Sequence, residues 1–192
     1  MSRSQTGLAE FWSSIRELEK FWAWIVAAAA LPFFASLIEI TPPWPPAIAI
    51  LTAIVNLIAV ILAYQLFRTS SRRVINRLMV ALTAILLFLS VIYLILLSEM
   101  TFRAGTAADA IVMVKGFVCT SYGNIFEECP WLGDKELKLA EWTPEVLWTS
   151  WSITITRIAL VVSWLGCFLS LSVILSSFIV HQRFVRGERA PR

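Results

Sequence analysis

Four long apolar stretches constrain the fold of this 192-residue chain more than any other feature of its sequence. They run from about Phe21 to Ile40, Ala47 to Phe67, Leu78 to Leu97, and Leu147 or Trp151 to Val180. Each is long enough to span a membrane, since about 20 helical residues cross a hydrocarbon core of roughly 30 Å. Apolar residues make up 58% of the chain and charged ones only 15%, against about 25% in globular proteins. The sequence therefore predicts an all-α membrane protein with four transmembrane helices.

The distribution of basic residues predicts how these helices are oriented. Arginines follow the second stretch and fill the C-terminal tail, 181–192, whereas the loop at 98–146 is more acidic than basic. Because Lys and Arg favour cytoplasmic segments, both termini are predicted to be cytoplasmic and the loop to be periplasmic or extracellular. The prolines of "TPPWPP", residues 41–46, predict a tight turn between the first two spans. Six arginines are expected to contact anionic lipid or a cytoplasmic protein partner: Arg68, Arg72, Arg73, Arg77, Arg183 and Arg186. Direct binding of nucleic acid is not expected.

The segment before the first span has helical apolar spacing. Leu8, Phe11, Trp12, Ile15, Leu18 and Trp22 recur at that spacing, which predicts an amphipathic helix over residues 1–20. It would lie on the cytoplasmic lipid surface or dock on a partner. The apolar region begins too late and runs too long for a cleaved signal peptide.

The predicted outer loop contains Cys119 and Cys129, which are expected to form a disulfide in an oxidising compartment. A β-branched run at Ile111 to Val118 predicts a strand, and the stretch from Asp134 to Trp142 predicts a short helix. At roughly 50 residues the loop is expected to be too small for a core of its own. A group of tryptophans is expected to form an interfacial aromatic belt or, alternatively, a recognition surface: Trp131, Trp142, Trp148 and Trp151.

The fourth span, 147–180, carries a polar stripe on one helix face. We use this name for the residues spaced by three, four or seven positions together with the adjacent glycine: Ser152, Thr156, Ser163, Gly166, Cys167, Ser170 and Ser177. Small and hydroxyl side chains allow membrane helices to approach closely and to form hydrogen bonds between them. The stripe is predicted either to pack against other helices, within the chain or between subunits, or to line the pore of an oligomeric channel.

Charged residues lie at the predicted outer ends of the spans. Arg157 is near the start of the fourth span, Glu39 closes the first, and Glu99 closes the third. An unpaired charge at this depth costs free energy, so one of the two carboxylates is predicted to pair with Arg157 in a structural clamp. An ion-selectivity ring is the alternative.

The residues that enzymes need are largely absent from the sequence. The only histidine is His181, at the cytoplasmic edge, and the seven glycines form no phosphate-binding motif. We expect no catalytic residue, no metal site and no cofactor, and therefore a non-enzymatic protein.

The arrangement of four spans, both termini inside, a short first outer loop and a longer second loop with two cysteines resembles that of tetraspanins, although their Cys-Cys-Gly motif is missing. In size and topology the chain also resembles the four-span membrane subunits of bacterial antiphage systems, such as the KwaA family of the Kiwa system. This resemblance implies a homo-oligomer in the bacterial inner membrane that works with a cytoplasmic partner. The predicted function is a membrane sensor or scaffold that couples an outer event to that partner, and a channel lined by the fourth helix is the alternative.

Overall fold

The computed structural model describes residues 26, 30–38, 40–67, 70–104 and 111–189, without the side chains of residue 134 and of residues 182–189. Within these ranges three helical segments are long and apolar enough to cross a membrane: Ile48–Phe67, Arg72–Met100 and Ser150–His181. The prediction of a mainly helical, membrane-embedded protein is confirmed. Of the predicted first span, residues 30–37 are helical, and most of the rest lies outside the described residues, so the fourth crossing stays a prediction. The amphipathic helix predicted over residues 1–20 also lies outside them.

The elements follow one another in the order α1 (Ile48–Phe67), α2 (Arg72–Met100), β1 (Thr101–Ala104), β2 (Ile111–Val114), α3 (Asp134–Leu139), α4 (Pro144–Leu147) and α5 (Ser150–Arg189), with a 3₁₀ turn at Gly123–Ile125 between β2 and α3. The prolines at 41–46 lie in non-helical backbone before α1, because proline lacks the backbone N–H and its ring clashes with the preceding turn of a helix. Helices α2 and α5 contain 29 and 40 residues and extend beyond the apolar stretches. Arginine is a good helix former, so these helices continue into polar sequence that hydropathy alone does not assign to them.

Residues 101–149, here called the cystine domain, connect α2 to α5. Strands β1 and β2 pair antiparallel with Thr101 opposite Val114 and Ala104 opposite Ile111. Strand β1 follows α2 without an intervening residue, and Phe102 and Ala104 point to the buried side as alternation along a strand requires. The predicted strand at 111–118 is thus shorter than expected and ends at Val114.

The cystine domain contains a hydrophobic core that a residue of α5 helps to enclose, so the expectation that the segment is too small for a core entirely its own stays a prediction. Phe102, Cys119, Leu132, Leu137 and Trp148 are buried together, and Ile153 of α5 completes the cluster. Two features explain how so short a segment forms a core. A disulfide joins its parts, and α5 supplies one wall.

Helix α3 occupies the first part of the stretch predicted as a short helix and ends in a Schellman motif. The Trp142 amide donates to the Leu137 carbonyl at 2.8 Å, and the Glu141 amide donates to the Lys138 carbonyl at 3.1 Å. Glu141 has φ 50°, in the left-handed region where glycine usually stands in this motif. The helix therefore ends at Leu139, three residues before the predicted end at Trp142.

The chain forms two compact units. One comprises the described residues of Met1–Ile38, Ala49–Thr83 and Phe168–Arg192, and the other comprises Glu39–Ile48 and Ala84–Cys167. In the first unit Val60 of α1 packs against Leu57 and Leu175. The second unit contains the cystine domain together with the helical residues that adjoin it in α2 and α5.

Candidate functional site

The segment at residues 115–120, here called the strap, joins the end of α2 to the start of α5. The Lys115 amide donates to the carbonyl of Met100, the last residue of α2, at 2.8 Å. At the other end the Val118 carbonyl accepts hydrogen bonds from the Thr149 amide at 2.9 Å, the Thr149 hydroxyl at 3.2 Å and the Ser152 hydroxyl at 3.3 Å. The strap thereby supplies a hydrogen-bond acceptor for the polar groups at the beginning of α5.

The strap runs antiparallel to residues 147–151. The rings of Phe117 and Trp151 meet edge to face with centroids 5.2 Å apart, Cys119 forms a β-bridge with Trp148, and the Thr120 amide donates to the Leu147 carbonyl at 2.9 Å. Trp151 is the second residue of the third candidate span, Ser150–His181. Phe117 therefore contacts the first turn of that span.

Gly116 allows the strap to approach α5 closely. A Cβ atom at this position would collide with Ser152 Oγ and would lie 2.6 Å from Trp148 Cβ, closer than real Cβ atoms approach other heavy atoms. Only glycine fits at this position of the strap, where the backbone passes Trp148 and Ser152. No sequence pattern indicates this requirement, since Gly116 stands within the run predicted as a strand.

The predicted disulfide is confirmed. Cys119 and Cys129 are bonded, with 6.5 Å between their Cα atoms and 10 residues of sequence separation. The indole of Trp148 lies beside them in the core and donates from Nε1 to the Pro130 carbonyl at 3.2 Å. The bond joins the strap to the segment that leads to α3.

The predicted aromatic belt is only partly consistent with the structure. Trp131 and Trp151 are exposed, as a belt requires. Trp148 is 0% exposed, and Trp142 packs on the core, with its ring centroid 6.5 Å from that of Phe102. These two tryptophans are core residues because the loop folds back on itself, and periodicity in the sequence does not show this.

The hydroxyl side chains of the polar stripe face the interior of the chain. All five are buried: Ser152, Thr156, Ser163, Ser170 and Ser177. Three of the hydroxyls donate to carbonyls within α5: Thr156 to Ser152 at 3.0 Å, Ser163 to Ala159 at 2.7 Å and Ser177 to Val173 at 2.8 Å. Burial and local hydrogen bonding favour the interpretation of the stripe as a packing surface within the chain.

The other two members of the stripe, Gly166 and Cys167, are half-buried beside α2 in the second unit. Cys167 Sγ lies 3.6 Å from Ser90 Oγ, and a Cβ atom on Gly166 would lie 2.7 Å from Leu89 Cδ1. One turn further along, Tyr93 packs on Trp164 with ring centroids 5.4 Å apart, and its hydroxyl donates to the Ile40 carbonyl. This contact of Tyr93 was not predicted from the sequence.

Ser176, a buried serine outside the predicted stripe, forms a hydrogen bond between α5 and α1 in the first unit. Ser176 Oγ lies 3.3 Å from the Val60 carbonyl and donates to the Ser172 carbonyl at 2.9 Å. Ser172 is also buried. The pairs Ser170–Ser172 and Ser176–Ser177 could have indicated that a second face of this helix is polar. On α1, Asn56 is 1% exposed and its Oδ1 accepts no hydrogen bond within the described residues.

The predicted charge clamp is not formed by its described members. Glu99 is exposed, Arg157 is half-buried, and no ion pair joins them in the part of the chain that the structure describes. Glu39 lies outside that part, so its pairing with Arg157 stays a prediction.

The predicted basic surface lies partly on helices. Arg72, Arg73 and Arg77 belong to the first turns of α2, and the backbone of residues 183 and 186 continues α5. Arg73 and Arg77 are exposed. Arg68 lies outside the described residues. The backbone of the described members therefore belongs to the start of α2 and to the last part of α5.

No family model, curated protein or solved structure matches this chain.

Proposed function

We propose that the chain is a non-enzymatic, oligomeric protein of the bacterial inner membrane that couples an event at the outer face to a cytoplasmic partner. The observation that supports this proposal most directly is the attachment of the strap. The Lys115 amide of the cystine domain donates to the carbonyl of Met100 in α2, and the Val118 carbonyl of the domain accepts from the Ser152 hydroxyl of α5. A partner that displaces the domain must also move the start of α5 or break these hydrogen bonds.

Helix α5 provides the path to the other face of the membrane. Its 40 residues correspond to about 60 Å of helix, about twice the hydrocarbon thickness of roughly 30 Å. The helix continues through residues 183, 186 and 189, which are arginines. The proposed coupling uses this covalent continuity, since one helix carries both the residues that contact the strap and these arginines.

The proposed orientation places the cystine domain outside and the arginines in the cytoplasm. The disulfide supports this side for the domain, because disulfides persist in oxidising compartments. The arginine distribution supports it independently. The test is labelling in intact cells by a membrane-impermeant maleimide. In a Cys167→Ala background, the thiol introduced by Glu145→Cys should react with the maleimide in intact cells. The thiol introduced by Asn76→Cys should react only after the membrane is opened.

The proposed partner binds the exposed arginines at the start of α2. A role in phage defence rests on the topological resemblance to antiphage membrane subunits alone. The test is co-expression with the product of the neighbouring gene, followed by native mass measurement of the full chain in nanodiscs. R73E/R77E should lose the partner, because charge reversal repels an acidic surface, whereas R73K/R77K keeps the charge and should retain it. Equal retention by both variants would refute docking at this surface.

The alternative function is a channel lined by α5. The burial of the hydroxyls argues against a pore lined by α5, and a conductance measurement tests for such a pore directly. S163L/S170L should block current in bilayers and leave assembly unchanged if these serines line a pore. If they pack, as we propose, bulky side chains should instead lower the thermal stability of the protein.

A further inference from the structure

The loop closed by the disulfide, residues 119–129, presents ordered apolar side chains to solvent. Ile125 is 71% exposed and Tyr122 is 44% exposed. The backbone beneath them is held by hydrogen bonds from the Asn124 amide to the Thr120 carbonyl at 3.0 Å and from the Cys129 amide to the Phe126 carbonyl at 3.3 Å. Side chains on a rigid support lose little entropy when they bind, so this loop is well suited to an interface.

The same loop is acidic. Glu127 and Glu128 are exposed, and residues 119–131 contain no lysine or arginine. The loop therefore combines apolar contact area with a net negative charge. A favourable partner surface would be apolar and basic.

Helix α3 of the same domain carries such a surface. Lys135, Lys138 and Leu139 are exposed and stand at spacing i, i+3 and i+4, on one face of the helix, and Leu139 is 67% exposed. The opposite face is fixed in the core by Leu137, and the Glu136 carboxylate accepts a hydrogen bond from the Gly133 amide at 3.0 Å. Within the described residues none of Glu127, Glu128, Lys135 and Lys138 forms an ion pair.

We propose that the disulfide-closed loop of one copy docks on the Lys135–Lys138–Leu139 face of a second copy. The two surfaces match in charge and in apolar content, and every copy carries both. Membrane-embedded copies share one orientation, so a contact between two different surfaces repeats about an axis along the membrane normal. Such a contact closes into a dimer or a ring when the rotation between neighbouring copies divides a full turn. This inference rests on the proposed function only in requiring more than one copy.

The test is sedimentation equilibrium of the full chain in density-matched detergent. E127K/E128K and K135E/K138E should each raise the Kd of self-association about tenfold or more, because like charges then face each other. The quadruple variant that carries both reversals should return the Kd of self-association to near the wild-type value. E99K/E145K changes the net charge by the same amount as E127K/E128K, at other exposed acids, and should leave association unchanged.

Each outcome decides between the two proposals. If the chain self-associates and the reversals have no effect, or the quadruple variant is not rescued, this interface is refuted and the oligomeric scaffold stands. A wild-type chain that is monomeric at all concentrations refutes both. Thiol counting and near-UV circular dichroism establish that each variant is folded. The wild type supplies a second measurement that needs no variant: its self-association should weaken as salt is added, and salt independence would refute the charged contact.

Discussion

Replacing Trp148 by alanine should unfold the cystine domain while the membrane helices remain inserted. Trp148 is 0% exposed, packs on Phe102 with ring centroids 6.4 Å apart, and donates from Nε1 to the Pro130 carbonyl. It also lies against Gly116 of the strap. Its removal therefore affects the core, a hydrogen bond and the attachment of the domain to α5 together.

The expected cost follows from two contributions. A buried Trp replaced by Ala typically costs about 3–5 kcal/mol, and a buried carbonyl left without its donor costs about 1–3 kcal/mol. A domain of roughly 50 residues has a stability of about 2.5–7.5 kcal/mol at 0.05–0.15 kcal/mol per residue. The loss is thus comparable to the whole free energy of unfolding of the domain.

Hydrogen exchange of the full chain in nanodiscs measures this locally. Amides of the strap, such as that of Thr120, should exchange at least about 100-fold faster in Trp148→Ala, since each 1.4 kcal/mol corresponds to a factor of ten. Trp131→Ala is the matched control, because Trp131 is 56% exposed and its loss should change exchange by less than about tenfold. Equal effects of the two substitutions would refute the assignment of Trp148 as the centre of the core.

Three further predictions use the same exchange measurement on the cystine domain. Cys119→Ser/Cys129→Ser should lower its stability by about 2–3 kcal/mol in the chain-entropy model of a small closed loop, and unchanged protection would argue against that model. Gly116→Leu should release the strap from α5 and increase exchange at Thr149 and Ser152, whereas Gly133→Ala, whose Cβ meets only a carboxylate oxygen at 3.3 Å, should not. Glu141→Gly should stabilise α3 by about 0.5–1 kcal/mol, because glycine adopts a φ of 50° without strain; slower exchange at Trp142 is the expected result, and faster exchange would contradict it.

Much of the membrane architecture was predictable from local sequence. Apolar length located α1, α2 and the membrane part of α5, and proline content located the turn before α1. The helix ends were not predictable to within several residues, because α2 and α5 continue through arginines that hydropathy excludes. Cysteine content together with the predicted compartment indicated the disulfide correctly.

The candidate site was predictable only in part. The stripe of small side chains on α5 was visible from its spacing, yet Ser172 and Ser176 were missed, because a second polar face interrupts a single periodicity. The strap, Gly116 and the buried position of Trp148 could not be predicted. They depend on contacts between residues about 30 positions apart, and no local pattern records such contacts.

The sequence by itself determined that this chain enters a membrane, because transfer of an apolar helix from water depends on composition and length, which are local quantities. It also determined that two cysteines were available to bond. Tertiary structure alone decided that the segment between α2 and α5 is a packed domain, that its strap is bonded to the start of α5, and that the loop at 119–129 and one face of α3 remain exposed. Whether Trp148 is buried and Ile125 is exposed depends on which residues surround each of them in the folded chain. In another fold the same two residue types could be exposed and buried, respectively.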